Sequence, residues 1–267
     1  YRSMGWGRGL TTLGAMANLY DDVAHDEQLR AMYVGVTAVA NDCSGEPPRF
    51  DQYELSNRDL SKARLKSWFR ETCEVRDEDG AERVLLTALA NLSREDVAEM
   101  LFAAATDHLY MNASYTLDFV NKAFETLEHV GWEEHADAVL ASVIPQITGG
   151  TRSEELSSWR NPIDVAELCF DAADRLPDLV TAGEGTEWTR PEGFVETLLA
   201  DDPEAIVDAL TDAIREGATQ TQLADAVARA ATRRVAYFAT SNEFSDRDTA
   251  HPTLTYANAV HRATAKT

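Results

Sequence analysis

The stretch Ser93 to Leu127, SREDVAEMLFAAATDHLYMNASYTLDFVNKAFETL, leaves little choice of architecture. Apolar or small residues fall at Val97, Met100, Leu101, Ala104 and Ala105, the i, i+3, i+4, i+7, i+8 stripe of a helix with one buried face. His108 is the next member of that stripe. Ser93 stands as N-cap with Asp96 near the third helical position, a loose capping box. After a short polar turn, Leu117, Val120, Phe124 and Leu127 point inward on a second helix, and Asn121 shares their face. No stretch of the chain shows a convincing period-two alternation. The expectation is an all-α, multi-helix bundle.

The chain repeats this pair. Thr219 laid on Ser93 matches TQTQLADAVARAATRR to SREDVAEMLFAAATDH without a gap. Further on, TLTYANAVHRA (Thr253 to Ala263) lies on TLDFVNKAFET (Thr116 to Thr126). Phe119 then meets Tyr256, Asn121 meets Asn258, and Phe124 meets His261. Matched helices in the same order, with the same capped start, suggest an internally duplicated helix pair. A site between the copies is one expectation that follows.

The rest reads as further helices in one all-helical domain over 1–267, with halves 1–148 and 162–267 joined by 149–161. Residues 8–20 and 26–43 form a first pair with Asp26 as cap. Helices follow over 60–75 and 81–92, and another over 133–147 is ended by Gly149-Gly150. Pro162 suits the first position of a helix running to Arg175 and stopped by Pro177. Leu179 to Gly193 is the most flexible-looking linker, followed by helices at about 191–200 and 203–216.

Charge narrows the function. Acidic residues number 46 against 24 basic, a net charge of −22, and the only lysines are Lys62, Lys66, Lys122 and Lys266. Such a surface repels itself unless screened, which fits a halophilic, salt-rich cytoplasm. It argues against nucleic acid and against anionic membrane, both of which reward clustered Lys and Arg. No run approaches the ~20 apolar residues of a membrane span. YRSMGWGRGL lacks the apolar core of a signal peptide. Cys43, Cys73 and Cys169 are odd in number and far apart, consistent with buried thiols in a reducing compartment. The expected setting is cytoplasmic.

Chemistry centres on six histidines. His25, His129 and His135 sit among acids near helix ends and read as surface groups. His108 and His261 replace apolar residues on buried stripes, and His251 precedes Pro252 at a helix N-terminus, where the dipole favours neutral imidazole. Neutral imidazole binds metal or accepts a proton. Two readings stay open: hydrogen-bonded core histidines, or a metal site converging between the copies. Lys122 is either an exposed charge beside Asp118 and Glu125, or a buried group that marks a site. Asn121 and Asn258 bind each other, backbone or substrate. Glu243, Asp246, Asp248 and His251 are either cation ligands or a solvated loop. ExxH pairs, HExxH, P-loop and nucleophile-elbow motifs are absent.

The runs ATDHLY…TLDFVNKAFE, TRSEELSSWRNPIDV, ATSNEFSDRDTAHPTLTYANAVHRA and NDCSGEPPRF resemble the helical domain that precedes a C-terminal [2Fe–2S] domain in some prokaryotic Rieske iron–sulfur proteins. The resemblance spans about residues 30 to 262. It implies electron-transfer or oxygenase chemistry, but the cluster-binding CxH…CxxH motif is not here. The family carries histidines around MYVGVTAVAND and ASYTLDF, where this chain has Val34 and Tyr115. His251-Pro252 is also similar to a helix start in questin oxidase-like proteins, which are helical oxidoreductases. Two functional expectations follow. In one, an oxidoreductase-type domain binds iron through His108, His251 and His261, with Tyr110, Asn121, Lys122 and Asn258 as polar surroundings. In the other, a non-catalytic scaffold docks a redox partner, a Rieske-type protein, another subunit or a second copy of itself.

Overall fold

A computed structural model of the chain describes residues 4–48, 50–57, 59–239, 241, 243 and 247–264, without the side chains of Arg247 and Asp248. Every regular element among them is helical, so the fold is all-α. Among the described residues no helix is long and apolar enough to cross a membrane. The chain divides into two compact units, Tyr1–Asp107 with Thr116–Thr151, and His108–Tyr115 with Arg152–Thr267. The assignment of 108–115 to the second unit has no counterpart in the sequence reading.

The first unit opens with a hairpin of α1 (Arg8–Asn18) and α2 (His25–Cys43). The two backbones approach so closely that only glycine fits. A Cβ on Gly9 would lie 2.6 Å from the Ala38 carbonyl oxygen, and one on Gly35 2.8 Å from Leu13 Cα. Asp26 is not the cap of α2. The helix begins one residue earlier with Ala24 as N-cap, and Asp26 and Glu27 occupy the first turn. There their charge complements the helix dipole without a capping bond.

Next come α3 (Lys62–Glu74), α4 (Glu78–Asn91) and α5 (Arg94–Thr106), each started by a side chain that accepts a backbone N–H. Ser61 takes Arg64, Asp77 takes Gly80, and Ser93 takes Asp96. They are followed by α6 (Tyr115–Val130), α7 (Ala136–Ala141) and α8 (Ile144–Thr148). The single helix expected over 133–147 is thus two, because Pro145 enters at the start of α8 and cannot complete a preceding helical bond. Within this unit α4 packs on α3, α5, α7 and α8. Leu65, Phe69, Leu85, Val97, Leu101, Val120, Leu140 and Ile144 are buried in this unit. Each contributes roughly 2 kcal/mol relative to exposure.

The second unit contains two 3-10 turns, Met111–Ser114 and Ser153–Glu155, with α9 (Ser157–Arg160), α10 (Val165–Gly183), α11 (Phe194–Leu198), α12 (Pro203–Arg215), α13 (Gln220–Ala236) and α14 (Arg247–Ala263). α10 does not start at Pro162 or stop at Pro177. Asp164 caps it by accepting Glu167 N–H at 2.8 Å, and it continues to Gly183. Pro177 is exposed, so the carbonyl it leaves unbonded can face water. The linker expected over 179–193 is held instead by Trp188, which is buried against Phe194, Ala213 and Ala226. Gly217 has φ +96°, and a Cβ there would lie 2.5 Å from the Thr186 carbonyl oxygen. The turn after α12 therefore needs glycine on both counts.

The two proposed copies share helix order and capped starts, and Thr219 forms a full capping box with Gln222. Their packing differs. α13 lies along α14, whereas α5 lies along α3 and meets α6 through the stacked Phe102–Phe124 pair, 5.4 Å between ring centres.

Candidate functional site

The most unusual chemistry of the first unit lies along one face of α6. Asp118, Asn121, Lys122, Glu125 and His129 recur at three- and four-residue spacing, so they form a polar stripe on a helix otherwise packed into an apolar core. Asn121 is 0% exposed and Asp118 3%. Glu125 is buried and Lys122 nearly so. Lys122 Nζ donates to Glu125 Oε2 at 2.6 Å. Asn121 Nδ2 donates to Glu125 Oε1 at 2.7 Å. Asn18, at the end of α1, adds a third bond, Nδ2 to Glu125 Oε2 at 2.6 Å. Its Oδ1 meets His129 Nε2 at 2.7 Å, at the exposed end of the stripe.

Electrostatics separates the two carboxylates. Burial works against ionisation of Glu125, but Lys122 and the Asn18 and Asn121 amides outweigh it and hold the carboxyl below its usual range. Among the described residues no comparable donor reaches Asp118. Burial pushes it up to about 6, against the pull of Lys122 and with the repulsion of Glu125. Among the described residues the buried Asn121 Oδ1 has no hydrogen-bond partner, a costly arrangement of about 1–3 kcal/mol. One turn of helix thus presents an unsatisfied acceptor beside an acid poised near neutrality. That is the pattern expected of a binding or proton-transfer site.

In the second unit His108 lies beyond the end of α5, not on its stripe, because that helix stops at Thr106. Asp107, at the C-cap position, is taken by the Arg70 guanidinium, whose Nε lies 2.7 Å from Oδ2. The His108 ring meets Glu154 instead, Nδ1 to Oε1 at 2.6 Å. The other oxygen of Glu154 accepts Leu109 N–H at 3.0 Å. Tyr110, Asn112, Ala113 and Ser114 all have φ between +45° and +91°, a left-handed run that costs non-glycine residues energy. It turns Tyr110 against Trp159 and Tyr256, with ring centres 5.8 and 5.0 Å away. Burial raises the Tyr110 phenol, and hydrogen bonds with Thr253 and Ser114 oppose the rise.

The residues expected to form one site are therefore distributed. Asn121 and Lys122 belong to the first unit, and His108, Tyr110, Asn258, His251 and His261 to the second. His251 is not at the helix N-terminus. α14 already begins at Arg247, which leaves His251 exposed within it. His251 and His261 are ten positions apart on that helix, about 15 Å along its axis, too far to share an ion. Among the described residues no group of three His, Cys, Asp or Glu side chains is placed to hold a metal. Asn258 and His261 are half-buried on α14. Of the acidic loop expected as a cation site, Asp246 and the Asp248 side chain lie outside the described residues, and Glu243 is exposed.

Asp118 and Glu125 were legible only as charges beside Lys122. Their inward placement follows from Asn121, which the periodicity puts on the buried face. Asn18 and Glu154 carry no local signal, since each meets its partner across a long stretch of chain. Burial pushes the Cys73 thiol up to about 12, which keeps it protonated at neutral pH. No protein-family model matches the chain, and comparison with curated proteins and with solved structures returns no match.

Proposed function

We propose that the chain is an oxidoreductase-type helical domain whose proton chemistry takes place on the α6 stripe. One observation carries this reading: the fully buried Asn121 Oδ1, without a partner among the described residues, stands one helical turn from Asp118, a buried acid near neutrality. A ligand hydroxyl would donate to Asn121 Oδ1. Its carbonyl would accept from protonated Asp118, with Lys122 supplying positive charge nearby. The fitting substrate class is a hydroxy-carbonyl compound such as a hydroxyquinone, with Asp118 as general acid and base. The redox setting rests on the resemblance to Rieske-associated helical domains, with electrons carried by a separate iron–sulfur partner. Iron held by His108, His251 and His261 has no support in the placement of those side chains and forms no part of the proposal.

The test is a panel of hydroxyquinones and hydroxy ketones, read by ligand-induced shifts in Tm across pH 5 to 8. A subset should stabilise the native chain, with an effect that falls as pH rises through about 6. Asn121→Leu should lose the shift. Asp118→Asn, which keeps a donor, should retain it without the pH dependence. A panel that fails to stabilise the native chain, or stabilises Asn121→Leu equally, refutes the reading.

A further inference from the structure

The outer face of α2 departs from the acidic character of the chain. Leu29 is 79% exposed, Tyr33 70% and Val36 56%, and Ala40 continues the row in the open. Between Leu29 and Asn41 the only charge is Arg30, which pairs with Glu27 at 3.1 Å. In a protein of net charge −22 this is a patch without acid. The helix carries two seams. Gln28, Met32, Gly35, Val39 and Asp42 follow four-three spacing and are buried or half-buried. Gly35 on that seam touches Leu13 of α1, and Asp42 accepts Gly9 N–H at 2.7 Å. Leu29, Tyr33, Val36 and Ala40 repeat the spacing one residue on, about 100° around the helix. α1 covers the first seam, and the second is exposed among the described residues.

We propose that the second seam is covered by α2 of another copy, packed antiparallel. The spacing 29, 33, 36, 40 reads the same in both directions. A twofold axis between Tyr33 and Val36 therefore sets Leu29 against Ala40 of the other copy, and Tyr33 against its Val36, a large residue against a smaller one each time. Charge fixes the direction. Asp26 precedes Leu29 on the same seam, so parallel packing would place the two Asp26 carboxylates face to face. Antiparallel packing sets Asp26 against Cys43 of the other copy. Because this patch bears no acid, it is also where two strongly acidic chains repel least.

The experiment is sedimentation equilibrium of the chain in about 2 M KCl, which screens the remaining repulsion. The native chain should dimerise. Tyr33→Lys/Val36→Lys should raise the dissociation constant by about a hundredfold while leaving helical circular dichroism unchanged. Val34→Lys, on the same helix but off the seam, should dimerise like the native chain. In a Cys43→Ser background, an equal mixture of Leu29→Cys and Ala40→Cys chains should form a mixed disulfide on mild oxidation, and Leu29→Cys alone should not. A monomeric native chain overturns the proposal. So does a dimer that survives the double substitution, or crosslinking of Leu29→Cys with itself.

Discussion

Asp118 sets the pH behaviour at the scale of single residues. Burial raises its folded-state carboxyl to about 6, above the ordinary value of 3.8, so the native state holds the proton more tightly than the unfolded chain. The stabilisation is complete below about pH 4 and is lost as pH rises to 6, amounting to about 3 kcal/mol. Asp118→Asn removes the penalty of burying the charge. Chemical denaturation at pH 5 and pH 7.5 should show a flatter pH dependence for the variant, and stability at pH 7.5 at least equal to that of the native chain. Lys122 and Glu125 behave as a unit. Lys122→Met should cost about 3–5 kcal/mol by leaving a buried carboxylate unpaired, and Lys122→Met/Glu125→Gln should recover much of that loss. A double-mutant cycle in urea measures the coupling. Periodicity placed Asn121 inside because its neighbours Leu117, Val120 and Phe124 define the face. It left Lys122 undecided, because a long side chain at the edge of a stripe can turn either way. What decides the case is Glu125, held from the far side by Asn18.

Helix identity was legible in nearly every element, while several ends were not. Thr106 ends α5 where the stripe predicts continuation to His108, because an apolar pattern records which side faces inward and not where the backbone turns. Pro177 stays within α10 because its face is exposed. His251 and Pro252 sit inside α14, so the helix start that appeared to poise an imidazole lies upstream. The hairpin of α1 and α2 gives a direct check of element packing. Gly9→Ala forces a methyl group into the Ala38–Val39 backbone, and should destabilise the first unit by about 1–3 kcal/mol in thermal unfolding. The left-handed run ahead of α6 predicts the opposite sign. Ala113 is exposed at φ +50°, so Ala113→Gly should stabilise the second unit by about 0.5–1 kcal/mol after the entropy of glycine is counted.

For the molecule as a whole, the net charge of −22 is the dominant long-range term. Raising KCl from about 0.1 to 2 M shortens the Debye length and should raise Tm progressively. An unchanged Tm would show that local ion pairs, and not general repulsion, control stability. The two-unit division also has a bearing on how such a protein can be rebuilt. The chain leaves the first unit at Asp107, contributes His108–Tyr115 to the second, and returns at Thr116. The two units are therefore not separable cassettes. A gene fragment starting at Arg152 would lack the segment that brings His108 to Glu154 and Tyr110 to Tyr256. Recombination that exchanged either unit would have to cut the gene at three places at once.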